Sequence, residues 1–463
     1  MKTLQKWWFR LACLLIMALL LAACGGEEAP AGPEPEGDTG ADVDVVPEED
    51  EGPAEEAVEA PVAGDRIAIG MWTHSAGNPD ELSVIEQWIA DYNASQDTYQ
   101  VVLESFPQAS YNDSVAAASI AGSLPCILDL DAPTVPNFAW SGYIQPLPIT
   151  EEDVDAMGVL DNDVGRYNDQ IYSLGQFDVA LLIYGRQSIM EEYGVRVATI
   201  EDPWTLEEFM GILDTFQESG EFEYAIDVNA GDSGEWWPYA YSPWLQSFGG
   251  DLINRDNYLE AEGVLNGPEA VAWAEWFQSL FSEGYANPTP ADAQSFLQGE
   301  VPLWYTGSWA AQSVLDEFSD DALFIPSPDF GNGPVIGAGS WQLGVSTNCP
   351  EEATQGAFDF VMFTMQPENV ALMSEVSSLI PTTLEAANMT ELYAEGGRFR
   401  PFYDMAEAFA LVRPETPGYL TISSQFEQAA LSIRDGGNVQ DALDDAVDAI
   451  ERDIEDNNGY GFR

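Results

Sequence analysis

The chain has 463 residues, 46% hydrophobic and 12% aromatic, which is enough apolar material for two large lobes and excludes a wholly disordered protein. Its 80 acidic residues against 14 basic ones give a formal net charge of −66, and such a surface repels nucleic-acid phosphates and anionic lipid headgroups. One histidine and four cysteines in the whole chain argue against a zinc enzyme.

The N-terminal segment has the layout of an export signal. Three of the basic residues lie within the first ten positions, and an apolar run over residues 11–23 follows them. That run is shorter than the roughly 20 residues of a membrane span and is typical of a secretory signal. It ends in Leu-Ala-Ala-Cys, which resembles a bacterial lipobox, so we predict a signal peptide over 1–23 and lipidation of Cys24. The alternative is an ordinary signal peptide with a cysteine placed there by chance.

The segment after the signal has the composition of a tether. Residues 25–65 contain 15 acids, no aromatic residue and no cation, which predicts a self-repelling, solvated linker over 24–65. Every cation beyond it is an arginine. This composition fits adaptation either to high salt or to low pH.

The folded part begins with alternating elements. Apolar patterning predicts strands over residues 66–72, 99–104 and 126–130. Asn78 followed by Pro79 and two acids predicts the start of a helix between the first two strands. A second helix is predicted over 111–121. Strands alternating with helices predict an α/β chain with a parallel sheet.

The second half of the chain also contains both predicted helices and predicted strands. Thr205 and Glu208 form a capping-box pattern that predicts a helix start. The remaining predicted elements are helices over 268–283, 350–364 and 438–456 and strands over 301–306 and 336–346.

These segments occur in an order that resembles the family 1 extracellular solute-binding proteins of ABC transporters, which include maltose- and multiple-sugar-binding proteins. The resemblance covers nearly all of residues 66–463. Two positions depart from the family pattern, namely Cys126, where the family usually has Asp, and Gly175, where it has Pro. The stretches that carry the resemblance are AGSLP at 121–125, GYIQPL at 142–147, NDQIYSLG at 168–175, PWTLEEF at 203–209 and the segment 296–309.

The resemblance implies a fold and a function. It implies an α/β, two-lobed, periplasmic-binding-protein-like fold with interleaved lobes, lobe one over 66–175 plus 309–370 and lobe two over 176–308 plus 371–463. It further implies a monomeric extracytoplasmic lipoprotein, held on the membrane only by its lipid, that captures a carbohydrate in the cleft and delivers it to the permease subunits of an ABC importer. No catalysis, cofactor, metal or nucleic acid is expected.

Three other interpretations of the function remain open. The ligand could be a polyamine, a polyol or a peptide, and the acidic surface would suit a polyamine. A secreted glycoside hydrolase would also show aromatic residues and paired carboxylates. A tethered binding module could feed a sensor instead of a transporter.

A sugar site needs flat aromatic rings with polar groups at their edges. The resemblance maps a carboxylate–aromatic pair onto Glu235, Trp236 and Trp237, between a strand and a helix of lobe two; the alternative is that these rings pack the core. His74 lies in the loop after the first strand and is either a ligand contact or a turn residue.

Further candidates lie at strand ends and near the hinge. Arg413 is either a ligand contact or, as we favour, a group that neutralises nearby acids. A strand-end aspartate is often only a turn acceptor. The remaining candidates are Gln108, Tyr111 and Asp131 after the second and third strands, Gln176 and Asp178 after the first hinge crossing, Trp304 and Trp309 around the second, and Trp341 as a stacking residue.

Two cysteines remain once the signal is removed and Cys24 is lipidated. Outside the cytoplasm such a pair often bridges, and the inferred topology puts Cys126 and Cys349 in lobe one. We therefore expect a disulfide between them, with two separate buried thiols as the alternative.

Overall fold

The structure is a computed structural model and describes residues 64–291, 294–339 and 341–462. The predicted signal peptide, Cys24 and nearly all of the predicted linker lie outside the described residues. In the part that is described, no helix combines the length and the apolar character needed to cross a bilayer.

Strands and helices alternate along the described chain. The strands are β1 Ile67–Thr73, β2 Tyr99–Ser105, β3 Ile127–Asp131, β4 Ile144–Gln145, β5 Val164–Tyr167, β6 Gln170–Gly175, β7 Phe177–Asp178, β8 Leu181–Arg186, β9 Trp304–Gly307, β10 Ala322–Ile325, β11 Ile336–Gly337, β12 Trp341–Ser346, β13 Ile380–Pro381 and β14 Ala410–Leu411. The helices are α1 Pro79–Ser95, α2 Gln108–Ala121, α3 Val135–Trp140, α4 Glu151–Met157, α5 Gln187–Tyr193, α6 Leu206–Ser219, α7 Trp236–Phe248, α8 Pro268–Ser282, α9 Ala311–Phe318, α10 Glu351–Thr364, α11 Pro367–Ser377, α12 Leu384–Ala387, α13 Arg400–Phe409, α14 Tyr419–Arg434 and α15 Val439–Asp456.

A seven-stranded sheet organises lobe one, in the order β2-β1-β3-β12-β6-β5 with β4 beside β12. The first three strands run parallel, as the alternation of strands and helices predicted. β12 then returns antiparallel to β3, with Trp341 opposite Asp131. The carboxyl ends of β1 and β3 and the start of β12 therefore meet at one edge of the sheet.

Local signals in the sequence explain where the helices of this lobe begin and end. The Asn78 side chain accepts a hydrogen bond from the Glu81 backbone N–H and caps α1, as predicted. Gly122 ends α2 with φ of 67°, a left-handed backbone conformation that favours glycine. The α1 and α10 side chains Trp88, Tyr92 and Phe360 fill one face of the sheet.

A disulfide between Cys126 and Cys349 ties β3 to the turn after β12. The two strands are also neighbours in the sheet, and the Ser346 N–H donates to the Cys126 carbonyl at 2.9 Å. The expected bridge is thus confirmed.

Lobe two is built around a smaller, three-stranded antiparallel sheet in the order β10-β8-β9. Its core is rich in aromatic side chains, including the fully buried Trp204, Trp244 and Trp273. The predicted capping box is present, because the Thr205 and Glu208 side chains each bond to the other's backbone N–H at the start of α6.

The chain passes between the two sheets at β7, between β11 and β12, and at β13, which pairs with β7. These crossings differ from the predicted boundaries. β10 pairs with β8 and β11 with β14, so residues 309–337 lie with lobe two and not with lobe one as predicted. Conversely, α11 extends past the predicted boundary at 370 and packs on α1 in lobe one. The second hinge crossing therefore follows β11 and not β9. The prediction missed this because strand pairing decides the lobe of each strand, and the sequence does not show which strands pair.

Candidate ligand-binding cleft

A charged cluster in lobe two surrounds Glu235, the residue before α7. Arg413, in the loop that leads to α14, donates through Nη1 to Glu235 Oε1 at 2.5 Å. The Tyr419 hydroxyl donates to the same oxygen, and Ser423 Oγ donates to Oε2 at 2.7 Å. Every oxygen of this carboxylate is therefore held, although the side chain remains 33% exposed.

Arg413 also reaches across to lobe one. Its Nη2 lies 3.3 Å from Asp131 Oδ1 at the end of β3, and its guanidinium lies 5.0 Å from the ring centre of Tyr239. Burial lowers the pKa of Arg413, but the carboxylates of Asp131 and Glu235 raise it above its ordinary value. Burial raises the pKa of Asp131 to about 6, even though Arg413 acts in the opposite direction. Arg413 is thus a fixed positive charge shared between the two lobes.

Aromatic rings form a wall beside this cluster. Trp236 stands edge-on to Trp309 with ring centres 6.3 Å apart, and Tyr239 lies 6.2 Å from the same indole. Trp309 is 44% exposed. The Tyr239 hydroxyl is buried and has no hydrogen-bond partner among the described residues.

The lobe-one side of the cleft is built on Trp341. Its indole stacks on the imidazole of His74, with ring centres 3.7 Å apart and planes 10° from parallel. Tyr111 meets the indole edge-on at 5.6 Å, and its hydroxyl accepts from the Asp129 N–H at 3.1 Å. Trp341 is only partly buried.

His74 lies between two carboxylates beneath that indole. Its Nδ1 is 2.7 Å from Asp129 Oδ2, and its Nε2 is 3.4 Å from Glu81 Oε1. Burial lowers the pKa of His74, but Asp129, then Glu81, outweigh it, and the pKa is raised. Burial raises the pKa of Glu81, opposed by His74.

These three side chains contain the ligand types of a metal site. One ligand atom from each of His74, Glu81 and Asp129 lies within 4.8 Å of the others. The two carboxylates, however, flank opposite nitrogens of one ring, and an imidazole binds a metal through one nitrogen lone pair. The arrangement therefore suits an imidazolium held between two anions better than an ion held by all three groups.

The structure gathers eight of the predicted site residues around this cleft. Gln108 lies exposed at the first position of α2, next to Pro107, which forms a backbone bridge with Ser75. The gathered residues are His74, Tyr111, Asp131 and Trp341 on the lobe-one side and Glu235, Trp236, Trp309 and Arg413 on the lobe-two side.

Three predicted contacts lie in the core, and we leave them out of the site. Trp237 is fully buried with its Nε1 donating to the Asp232 carbonyl at 2.9 Å, since α7 begins at Trp236 and turns the next side chain inward. Trp304 packs in lobe two and donates to Asn229 Oδ1 at 3.1 Å. The buried Gln176 amide donates to the Leu174 carbonyl and to Thr364 Oγ1 inside lobe one.

Asp178 belongs to the hinge. Its Oδ1 accepts from the N–H groups of Val179 and Gly339, both at 2.7 Å, and its Oδ2 accepts from Asn162 Nδ2 at 3.1 Å. It therefore joins the first crossing to the second. Burial raises its pKa to about 6.

Four residues of the cleft were missed by the sequence analysis. Glu81 reads as an ordinary first-turn acid, and Tyr239 lies only one turn along α7 from Glu235, a spacing that becomes visible once the helix is known. Tyr419 and Ser423 share one face of α14 at a spacing of four, a signal that the sequence contained.

Two lobes joined by a hinge, with aromatic and charged side chains facing each other between them, define a two-lobed binding protein. Residues 87–400 match the family of bacterial extracellular solute-binding proteins. The chain belongs to this family, and its place is outside the cytoplasm. Comparison with curated protein sequences finds no match.

Solved structures confirm the two-lobed fold. The GacH receptor of Streptomyces glaucescens, solved unliganded and with acarbose, is 20% identical over 84% of this chain and 98% of its own, with a TM-score of 0.70. A cyclic α-maltosyl-1,6-maltose binding protein from Arthrobacter globiformis is 22% identical over 84% and 100%, with a TM-score of 0.71. An ABC transporter solute-binding protein from Thermotoga lettingae, bound with α-D-tagatose, is 17% identical over 83% and 99%, with a TM-score of 0.67.

Proposed function

We propose that this protein captures a neutral carbohydrate between its lobes and delivers it to the permease subunits of an ABC importer, without catalysis. The observation that carries the proposal is the pairing of stacking surfaces with held polar groups. Trp341 stacks on His74 in lobe one, and Trp236 stands edge-on to the exposed Trp309 in lobe two.

The polar groups suit sugar hydroxyls. The carboxylates of Glu235 and Asp131 are held by Arg413, and the Tyr239 hydroxyl is buried beside them with no hydrogen-bond partner in the described part of the chain. Pre-positioned acceptors and donors at the edges of aromatic rings match the rim and the faces of a pyranose. The sugars bound by the structural neighbours are in line with this choice.

We further propose that lipidation of Cys24 holds the monomeric protein on the membrane through the acidic linker. A Cys24→Ser variant is expected to leave the membrane fraction. A variant that stays with the membrane would contradict the anchor and leave the binding proposal untouched.

The binding proposal is tested by thermal unfolding of the full chain in detergent micelles with maltose, maltotetraose, mannotriose, tagatose, sorbitol, spermidine and a peptide mixture. A ligand that binds only the folded state raises the melting temperature. We expect a sugar to do so. A shift with spermidine or a peptide alone would overturn the carbohydrate assignment.

Two exposed tryptophans supply a matched pair of variants. Trp309→Ala removes a ring of the aromatic wall and is expected to weaken sugar binding about tenfold. Trp140 has a similar exposure, 41% against 44%, but packs on Tyr460, so Trp140→Ala is expected to bind like the parent. Release of reducing ends from the bound oligosaccharide would favour a hydrolase instead.

A further inference from the structure

The only histidine of the chain is buried beneath the stacking surface of lobe one. His74 is 5% exposed, and each ring nitrogen faces a carboxylate, Asp129 at 2.7 Å and Glu81 at 3.4 Å. A neutral imidazole has one N–H and one lone pair. In this position its lone pair would lie within ion-pair distance of a carboxylate oxygen, so the geometry favours a proton on both nitrogens.

Both carboxylates accept hydrogen bonds from neighbouring side chains. Glu81 receives Ser75 Oγ on one oxygen and Asn78 Nδ2 on the other, both at 2.9 Å. Asp129 Oδ2 receives Thr73 Oγ1 at 2.9 Å. A carboxylate that accepts on its oxygens is stabilised in its charged form.

The imidazolium in turn holds the indole above it. Trp341 lies parallel to His74 at 3.7 Å between ring centres, an arrangement in which a cation attracts the face of an aromatic ring. The edge-on ring of Tyr111 fixes the same indole from another direction. Trp341 is also the strand partner of Asp131, so this stack adjoins the charged bridge to lobe two.

We propose that His74 is a positioning residue, whose doubly protonated ring, held between Glu81 and Asp129, fixes Trp341 as the stacking surface for the ligand, so that tight ligand binding requires the proton on His74. The inference rests on the proposed function, since it assigns the residue that organises the same cleft.

The groups that face His74 set the direction of the pH dependence. Asp129 and Asp131 approach from β3, Glu81 from α1 and Tyr111 from α2. Burial, and then Asp129, hold the pKa of Tyr111 well above its ordinary value. The pKa of His74 is raised, so its proton is retained to a higher pH than on a free imidazole and is lost as the pH rises above that raised value. Ligand affinity is therefore expected to fall on the alkaline side.

The charge state can be measured directly, because one histidine gives one set of imidazole resonances. Long-range proton–nitrogen correlation spectra of the full chain in micelles, recorded from pH 6 to 10, are expected to show both nitrogens protonated at pH 7. A neutral tautomer at pH 7 would overturn the proposal. So would a stoichiometric shift of these resonances by added Zn²⁺, which would make the cluster a metal site.

Ligand affinity is measured over the same pH range with the sugar found by thermal shift. His74→Gln is expected to lose about tenfold in affinity at pH 7 and to lose the alkaline fall. Asp129→Asn removes the nearest anion, which lowers the pKa of His74, and is expected to move the fall to lower pH. This movement is a readout that a merely structural role would not give, and it remains available if His74→Gln fails to fold.

Asp113→Asn, on the exposed side of α2, is the matched charge control and is expected to leave the profile unchanged. An affinity that is independent of pH from 7 to 10, with His74 titrating in that range, would overturn the inference while sugar binding stands. If no sugar binds at any pH while the resonances show an imidazolium, the proposed function fails and the charge state of His74 stands.

Discussion

Arg413 is a buried cation on which two carboxylates depend. Its side chain is 7% exposed, and its partners Asp131 and Glu235 lie on opposite sides of the cleft. Removing one member of a buried ion pair leaves the others desolvated without compensation, which costs more than the pair contributes. The Tyr239 ring beneath the guanidinium adds a contact that a shorter side chain would lose.

We therefore expect Arg413→Met to lower the free energy of unfolding by about 3 kcal/mol at pH 7.5, measured by urea denaturation. Asp131→Asn in the same chain is expected to recover part of the loss. Arg398→Met is the control, because its partner Asp320 is fully exposed, and it should leave the unfolding curve unchanged. If Arg413→Met and Arg398→Met lowered the free energy of unfolding equally, the assignment of Arg413 as a buried bridge would be contradicted.

At the scale of single residues, the sequence analysis identified side chains of the right chemical type for a sugar site, but it did not predict which of them face the core. The favoured interpretation of Arg413, that it neutralises nearby acids, matches its two ion pairs. Trp237 and Trp304 are aromatic residues near polar ones, as a sugar site requires, yet they face the core. Only the phase of α7 and the pairing of β9 decide which way they point, and neither follows from composition.

Among the elements, the hinge carries the most unusual chemistry. Asp178 on β7 is fully buried and bonds to both the first and second crossings. Asp163, just before β5, is also fully buried, and its two oxygens have no hydrogen-bond partner within the described chain. Burial, followed by the charge of Asp178, holds the pKa of Asp163 well above its ordinary value.

The pH dependence of the hinge follows from Asp178. Burial raises its pKa from 3.8 in the unfolded chain to about 6, so between these values the folded state binds more protons than the unfolded state. Folding stability from this group is therefore present at low pH and is lost as the pH rises through about 6. We expect Asp178→Asn to gain about 1.4 kcal/mol relative to the parent between pH 5 and pH 7.5, measured by urea unfolding at each pH.

The control for the hinge is Asp155→Asn, an exposed position on α4, which should track the parent at both pH values. If Asp178→Asn loses stability relative to the parent as the pH rises, the folded hinge stabilises the ionised form of the Asp178 carboxylate. The assignment of an unfavourable buried charge would then fail.

Element boundaries were predicted well where a local signal exists. The predicted caps at Asn78 and Thr205 are both present, because capping depends on neighbours in the chain, and the helix predicted over 438–456 is capped by Asn438. The predicted strand over 336–346 is instead two strands, β11 and β12, in different sheets. The hinge crossing between them depends on tertiary contacts, because each strand pairs in a different sheet, and an apolar run in the sequence does not reveal this.

The whole molecule is dominated by negative charge. The formal net charge of −66 is carried by a surface on which most ion pairs are exposed and so contribute little, as the pair of Arg196 with Asp202 illustrates. Like charges on a compact body repel one another more than they do on an expanded chain, which lowers the stability of the folded state. The buried pair partners of Arg413 and His74 are shielded from salt by the protein around them.

This charge distribution predicts that salt stabilises the protein. The screening length falls from about 10 Å at 0.1 M to about 3 Å at 1 M ionic strength, which weakens surface repulsion while the buried pairs persist. We expect the melting temperature of the full chain at pH 7.5 to rise by several degrees from 0.1 to 2 M NaCl, and equally in choline chloride, because screening does not depend on which cation supplies it. A rise in NaCl alone would indicate specific cation binding. A fall in both salts would show that surface ion pairs stabilise this fold more than its net charge destabilises it. The adaptation to high salt that the absence of lysine after residue 65 allows would then lose its physical basis.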